Sequence, residues 1–367
     1  MADRICRWGI LGTANIARKN WQSILNAENS TLTAVASRTT ERATQFIREC
    51  QAEAPFATVP EAIGSYEALL SHPQVDAVYI PLPTGLRKDW VIRAAQAGKH
   101  VLCEKPCADN ATDLAEMIEA CRMHNVQFMD GVMFMHSRRM ESLRAALDDG
   151  ESIGRIRRIC SQFSFCGPDE FFAGNIRTSS ALESLGCLGD LGWYTIRFAL
   201  WTMKYQMPQR VTGRLLATAG RPDSPTSVPV EFSGELLFAD GVSASFYNSF
   251  QTWNQQIAHV SGSKGSLLLH DFVLPYFGGE SAFDVFNATM DISNCQYNMV
   301  EHTRRVSVRE YSNNKPDAQE TNLFRNFSTL VLSGRLDPHW PEIALKTQQV
   351  MDACLESARN GSREVTL

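Results

Sequence analysis

Gly9-Ile10-Leu11-Gly12-Thr13-Ala14-Asn15-Ile16-Ala17 carries small residues at the points where an apolar run turns into a helical one. Residues 7–11 read as a buried strand and 14–25 as the helix that follows. Gly12, Ala14 and Ala17 keep the GxGxxG spacing, with alanine at its second and third positions. Glycine permits the tight turn, a small second residue lets a pyrophosphate approach the backbone, and a small third one lets the helix pack on the sheet. The amides of Thr13, Ala14, Asn15 and Ile16 are then available to phosphates at the helix start. Small residues at such a turn also serve packing alone; the ligand reading rests on the position of this turn, the first in a strand–helix–strand unit.

Outward from this turn the alternation continues. Strands are expected at 32–36, 75–80, 100–104 and 127–130, and helices at 40–49, 65–70, 87–97 and 112–124. Ser65 stands where an N-cap belongs and Gly98 where a helix stops. The apolar run 75–80 suits a parallel strand covered on both faces. This order predicts a Rossmann-type, doubly wound parallel sheet over 1–130. Beyond it, over 131–367, helices at 137–147 and around 189–200 are followed by β-rich sequence. Segments 231–238 and 242–250 flank the hairpin signal Asp240-Gly241, and 257–261 and 266–270 flank Gly262-Ser263-Lys264-Gly265. A strand at 305–309 and helices at 320–332 and 341–358 complete an α+β domain on a large, mostly antiparallel open sheet. One face of that sheet is left to cover, which suggests a homodimer formed through it.

The 367 residues exceed one ordinary core and fit two domains. With 44% hydrophobic and 20% charged residues and a net charge of -5, the chain is expected to be soluble and offers no broad basic face for nucleic acid. Arg155 to Arg158 read as a solvated strand face. The polar N-terminus lacks a signal-peptide core, and no apolar stretch reaches the roughly 20 residues of a membrane helix. Ten scattered cysteines, none in a CxxC pair, suit a reducing cytoplasm. Cys103 and Cys107 read as core thiols, and no metal site is expected.

An acidic residue at the end of the second strand would bond the ribose hydroxyls of NAD. This chain has Ser37 and Arg38 there, with Arg42 a turn later, and a hydroxyl with two guanidiniums suits the 2′-phosphate of NADP(H). Both arginines also read simply as solvated helix-start residues. Pro81-Leu82-Pro83-Thr84 and Glu104-Lys105-Pro106 end later strands and so belong at the nicotinamide end of such a ligand. Lys105 precedes proline, which holds it extended and allows a cis bond. In the second domain, Gly186-Cys187-Leu188-Gly189-Asp190-Leu191-Gly192-Trp193-Tyr194 opens a helix on which Asp190 and Tyr194, four apart, share a face. They point toward a ligand or serve as a cap and a core aromatic.

Together the Gly12 turn, the Glu104-Lys105-Pro106 motif and the stretch from Gly186 to Tyr194 resemble the Gfo/Idh/MocA oxidoreductases over nearly the whole chain. Tyr194, where many members carry histidine, brings it nearer the branch of dimeric dihydrodiol dehydrogenases and NADP-dependent sugar dehydrogenases, with segments similar to plant members. The resemblance implies Lys105 and Tyr194 as a catalytic pair, Asp190 beside the substrate, and Arg177 orienting a hydroxylated substrate. A phenol with an ordinary pKa of about 10 would be made a better proton donor and acceptor by a lysine ammonium. Two places depart from the pattern: Thr84-Gly85-Leu86-Arg87 replaces a loop that usually carries Asn and His, and Trp193 replaces a smaller residue. Trp193, Phe134, Phe171 and Phe172 are candidates for an aromatic substrate wall, with His136 near it, or for core packing.

The expected activity is NADP(H)-dependent hydride transfer between nicotinamide and a carbonyl or secondary alcohol of a small polyhydroxylated or cyclic molecule, of sugar or diol type. The alternatives are an imine or ketone reductase of specialised metabolism and a non-catalytic NADPH sensor or scaffold. A sensor would need the Gly12 turn and Arg38 but no proton donor.

Overall fold

Five of the six residues of strand β1 (Cys6–Leu11) are buried, which requires a strand covered on both faces. The computed structural model, which describes residues 4–367, places it inside a six-stranded parallel sheet. From β1 the chain runs through α1 (Asn15–Asn26), β2 (Ser30–Ala36), α2 (Thr40–Glu53), β3 (Glu61–Ile63) and α3 (Tyr66–Leu70). It continues with β4 (Ala77–Ile80), α4 (Thr84–Gln96), β5 (His100–Cys103), α5 (Ala111–Met123) and β6 (Phe128–Asp130). The strand order β3-β2-β1-β4-β5-β6 reverses between β1 and β4. At such a reversal the loops after neighbouring strands diverge and leave a crevice. The local chemistry matches the sequence: Ser65 caps α3 by accepting from the Ala68 amide at 3.0 Å, and Gly98, with φ +71°, follows α4.

The remaining elements are α6 (Arg139–Asp148), β7 (Ile156–Cys166), α7 (Asp169–Gly174), α8 (Gly186–Asp190), α9 (Gly192–Thr202), β8 (Arg210–Ala219), β9 (Val228–Leu237) and β10 (Ser243–Ser249). Then come β11 (Gln251–Gly262), β12 (Ser266–Leu269), β13 (Glu280–Phe286), β14 (Thr289–Ser293), β15 (Gln296–Val300), β16 (Thr303–Arg309), α10 (Gln319–Ser333), α11 (His339–Arg359) and β17 (Val365–Thr366). Nine strands form an open sheet in the order β16-β13-β12-β11-β7-β10-β9-β8-β17, antiparallel throughout except where β10 runs parallel to β7. Helices α8 and α9 pack over β7, β9 and β10. Asp240 and Gly241 take positive φ between β9 and β10, as the Asp-Gly step predicts.

Two compact units emerge. One reaches up to Ser137 and takes in Ala181–Ser184 and Tyr311–Gln348; the other holds Arg138–Ser180, Leu185–Glu310 and Gln349–Leu367. The grouping differs from a single division at 130 because α10 lays Leu323, Phe324 and Phe327 against the parallel sheet. Phe324 stacks edge-on against Trp8 (5.1 Å) and Tyr79 (5.5 Å), and the Trp8 indole donates to Ser328 Oγ at 3.0 Å.

The second unit carries a separate hairpin, β14–β15. Its cross-strand pairs Met290–Met299 and Ile292–Tyr297 put four apolar side chains on one face, 56–70% exposed. No described helix is long and apolar enough to cross a membrane.

Phe324 is fully buried against two aromatic rings, so Phe324→Ala is expected to cost about 3–5 kcal/mol of stability. Urea unfolding followed by tryptophan fluorescence checks this; an unchanged midpoint would show that α10 is not part of the first unit's core.

Candidate active site

At the end of β1 the backbone turns at Gly12, whose φ of +119° is closed to other residues. A Cβ there would lie 2.8 Å from Leu82 Cδ2 and 3.8 Å from the Tyr66 hydroxyl, so glycine also makes room for the loop after β4. Ala14 is the N-cap of α1; no side chain caps this helix start and no acid lies in its first turn. Its first amides are therefore offered to an anion, with the positive end of the helix behind them. Asn15 and Ile16 are exposed here and Ala17 is buried on the sheet. Thr13 Oγ1 lies 3.3 Å from Ser37 Oγ, joining the turns after β1 and β2.

Ser37 is buried, whereas Arg38 and Arg42 extend from the exposed start of α2. Burial pushes the Tyr66 phenol above its ordinary pKa, and the charges of Arg38 and Arg42 pull it part of the way back. Glycine at the strand end, an uncapped helix start and two cations beside a hydroxyl fit a dinucleotide carrying a 2′-phosphate. Tyr66 was not legible as part of this site, because the sequence marks only its cap, Ser65.

The loops after β4 and β5 meet at the same edge of the sheet. Helix α4 starts at Thr84, three residues before the expected 87, so Pro83 is its N-cap and Thr84 its first residue. Glu104 is 7% exposed, and its carboxylate is held on both oxygens: Tyr79 donates to Oε1 at 2.5 Å and the Lys105 amide to Oε2 at 3.2 Å. Asn20 Nδ2 donates to the Tyr79 hydroxyl at 2.6 Å. Burial first, then the negative charge of Glu104, raise the Tyr79 phenol well above its ordinary pKa, which keeps it a donor. A Cβ at Gly131 would stand 3.2 Å from Glu104 Oε1, so the lack of a side chain there leaves space for the carboxylate. Lys105 thus has its amide tied to a fixed anion, and its bond to Pro106 is cis. Cys103 and Cys107 are buried free thiols, and burial raises the Cys107 thiol.

In the second unit, the Arg177 Nε donates to Asp190 Oδ2 at 2.8 Å, while its amide is held by Asn175 Oδ1 at 3.0 Å. The Asp190 side chain is 12% exposed and that of Arg177 40%. Tyr194 packs its ring edge-on against Phe163 at 5.5 Å. The expected single helix around 189–200 is two: α8 ends at Asp190 and α9 begins at Gly192, with Leu191 at φ -106°. Gly186 explains the approach of α8 to the sheet, since a Cβ there would fall 2.0 Å from the Pro229 carbonyl oxygen. Asp190 therefore closes one helix and Tyr194 lies in the first turn of the next, with Leu191 between them still in the right-handed helical region.

Trp193 and Phe134 are buried, at 0% and 1% exposure. His136 is buried in the first unit, where its ring stacks on Trp340 at 4.7 Å and its Nδ1 lies 3.0 Å from Asn326 Nδ2. Phe171 and Phe172 are half-buried; Phe171 packs with Phe165 and Phe250 in an aromatic group on β7 and β10's flank.

Two family models match the chain: an oxidoreductase family with an NAD-binding Rossmann fold over residues 6–132, and the GFO/IDH/MocA C-terminal domain over 140–268. A D-xylose 1-dehydrogenase (NADP(+)) from Haloferax volcanii is 35% identical over 71% of this chain and 74% of its own. The mouse trans-1,2-dihydrobenzene-1,2-diol dehydrogenase is 31% identical over 71% and 73%. The crystal structure of KijD10, a 3-ketoreductase from Actinomadura kijaniata in complex with NADP and TDP-benzene, superposes with a TM-score of 0.79 at 26% identity, covering 98% of each chain. The turn at Gly12, the anchored Lys105 motif and these likenesses lead to one assignment: the chain belongs to the GFO/IDH/MocA oxidoreductase family.

Proposed function

We propose that the protein is an NADP(H)-dependent dehydrogenase or reductase acting on a carbonyl or secondary alcohol of a small polyhydroxylated or cyclic molecule, of sugar or diol type. The observation that supports it most is the pairing of two built features in one unit: a Gly12 turn joined through Thr13 to Ser37, which the exposed Arg38 and Arg42 follow, and a Lys105 whose backbone is tied to the buried Glu104. The relatives with sugar and diol substrates support the substrate class.

In this reading Gly12, Thr13, Ala14, Asn15 and Ile16 bind the pyrophosphate, and Ser37, Arg38 and Arg42 the 2′-phosphate. Pro81, Leu82, Pro83, Thr84, Glu104, Lys105 and Pro106 form the loops at the nicotinamide end, over residues 1–130. The bound cofactor supplies or accepts a hydride. Tyr194 passes a proton to the substrate oxygen in reduction and takes it back in oxidation. Lys105 lends positive charge where that oxygen becomes negative. Asp190, tied to Arg177, orients the hydroxyl groups of the substrate, with residues 131–367 supplying the substrate-binding part.

Wild-type protein is expected to quench or shift NADPH fluorescence on titration, and Arg38→Ala to weaken NADPH at least about tenfold more than NADH, because a charge-assisted phosphate contact contributes roughly 1.5–3 kcal/mol. Lys105→Met and Tyr194→Phe are expected to lower turnover of D-xylose or trans-dihydrodiols by about 10²-fold or more, a usual range for proton-transfer groups. Absorbance at the NADPH band checks both. Binding without turnover across sugars, diols and ketones would favour a sensor instead, and faster turnover of imines than ketones would move the substrate class.

The ten free cysteines support a cytoplasmic location, and a tagged chain found in an oxidising compartment would count against it. We further propose a homodimer through the nine-stranded sheet. Exposed apolar residues in the second unit, among them Trp253 at 76% and the face of β14–β15, support it. Light scattering is expected to report twice the 40.9 kDa of one chain; a monomer at micromolar concentration would end this proposal.

A further inference from the structure

Arg87 stands on the first turn of α4, yet its residue is only 5% exposed. An arginine is always charged, so a buried one must find acceptors for its fork of donors. Nε donates to the Leu82 carbonyl at 2.7 Å, and Nη1 donates to Thr84 Oγ1 at 3.0 Å and to the carbonyl of Pro106. One guanidinium thus joins the loop after β4 to the last residue of the Glu104-Lys105-Pro106 motif.

The charge is balanced through a hydroxyl. Thr84 has one hydroxyl proton, and Glu183 Oε2 at 2.6 Å is a closer acceptor than Pro106 O at 3.3 Å. The Thr84 hydroxyl therefore accepts from Arg87 and donates to Glu183, which also takes the Thr84 amide on Oε1 at 3.1 Å. Glu183 is 9% exposed and lies at the N-terminus of α4, where an anion is favoured. Its segment is fixed as well, since the Gly85 amide donates to Leu182 O at 3.1 Å and a Cβ at Gly85 would collide with Ala181 O at 2.7 Å.

We infer that Arg87 and its counter-charge Glu183 are positioning residues for Lys105. The amide of Lys105 is held by Glu104, and the carbonyl of the next residue, Pro106, is held by Arg87. With its backbone fixed on both sides, the lysine side chain starts from one defined point, and displacements of about 1 Å are enough to cost roughly 10²-fold in rate. Helix capping alone would require Glu183 but no cation, and it would not link α4 to the Pro106 carbonyl. This inference rests on the proposed role of Lys105, and its test separates the two.

The full-length protein is compared with Arg87→Met, Arg87→Lys and Glu183→Gln. Amide exchange of the peptide spanning 100–108 is followed by mass spectrometry without cofactor or substrate; kcat and KM are measured with NADP⁺ and D-xylose, or with the best substrate of the panel above. Arg87→Met is expected to speed exchange in that peptide at least about tenfold and to lower kcat about 10- to 100-fold with KM for the sugar within about threefold. Arg87→Lys, which keeps the charge but not the fork, falls between, and Glu183→Gln lowers kcat about 3- to 10-fold. In a Lys105→Met background, Arg87→Met is expected to cost less than about twofold more, since a residue acting through Lys105 has nothing left to position.

Full additivity in that double variant, or unchanged exchange and kcat in Arg87→Met, overturns the inference. If Arg87→Met fails to fold, Glu183→Gln in the same two backgrounds carries the test with the same reading. If the wild type turns over no substrate, the proposed activity fails by itself, and unchanged exchange in both the Arg87→Lys and Glu183→Gln proteins would still overturn the clamp.

Discussion

A carboxylate buried at the end of a parallel sheet has to be fully paired, and much of the first unit is arranged around that requirement at Glu104. Leaving such a group without donors costs several kcal/mol, far more than a hydrogen bond contributes when made. Tyr79 meets one oxygen and the Lys105 amide the other, while Asn20 of α1 satisfies the phenol. The same phenol belongs to the aromatic group of Phe324 and Trp8. The helix that starts at the nucleotide turn, the central strand β4 and the helix α10 therefore converge on the motif that carries Lys105. Chemistry at the sheet edge and packing beneath it share these atoms.

The features visible in the amino-acid order were those whose cause is local. Gly12 is compelled by its own φ, Ser65 and Gly98 by the helix they bound, Asp240-Gly241 by the turn between two strands. The apolar run ending at Ile80 reads as a covered strand because every residue of β4 is buried. The choice of Ser37, Arg38 and Arg42 over an acid needed only the end of β2. All of these can be inferred within a window of a few residues.

Features caused by distant partners were not visible. Strand β3 has three residues with the first exposed, and β14 and β15 are exposed throughout, so neither shows the buried alternation that marks a strand. The break at Leu191 reflects glycines at 189 and 192, poor helix formers, with Gly192 placed against the side chain of Asn248. Arg87 opens the helix expected at 87–97, and nothing beside it in the chain marks its acceptors; only the fold brings the carbonyls of Leu82 and Pro106 to it. Tyr79 reads as one more apolar strand residue, and nothing near it in the chain announces a carboxylate twenty-five positions later.

The return of α10 bears on what counts as a separable piece of this chain. The stretch matched by the nucleotide-binding family model closes at residue 132, but the rings that shield Trp8 and Tyr79 come from positions 324 and 327. A fragment excised after Ser137 would bare an indole and the apolar side of β1 to water. A stand-alone nucleotide module would have to be rewired, with 311–348 spliced back by a linker, before its sheet was whole.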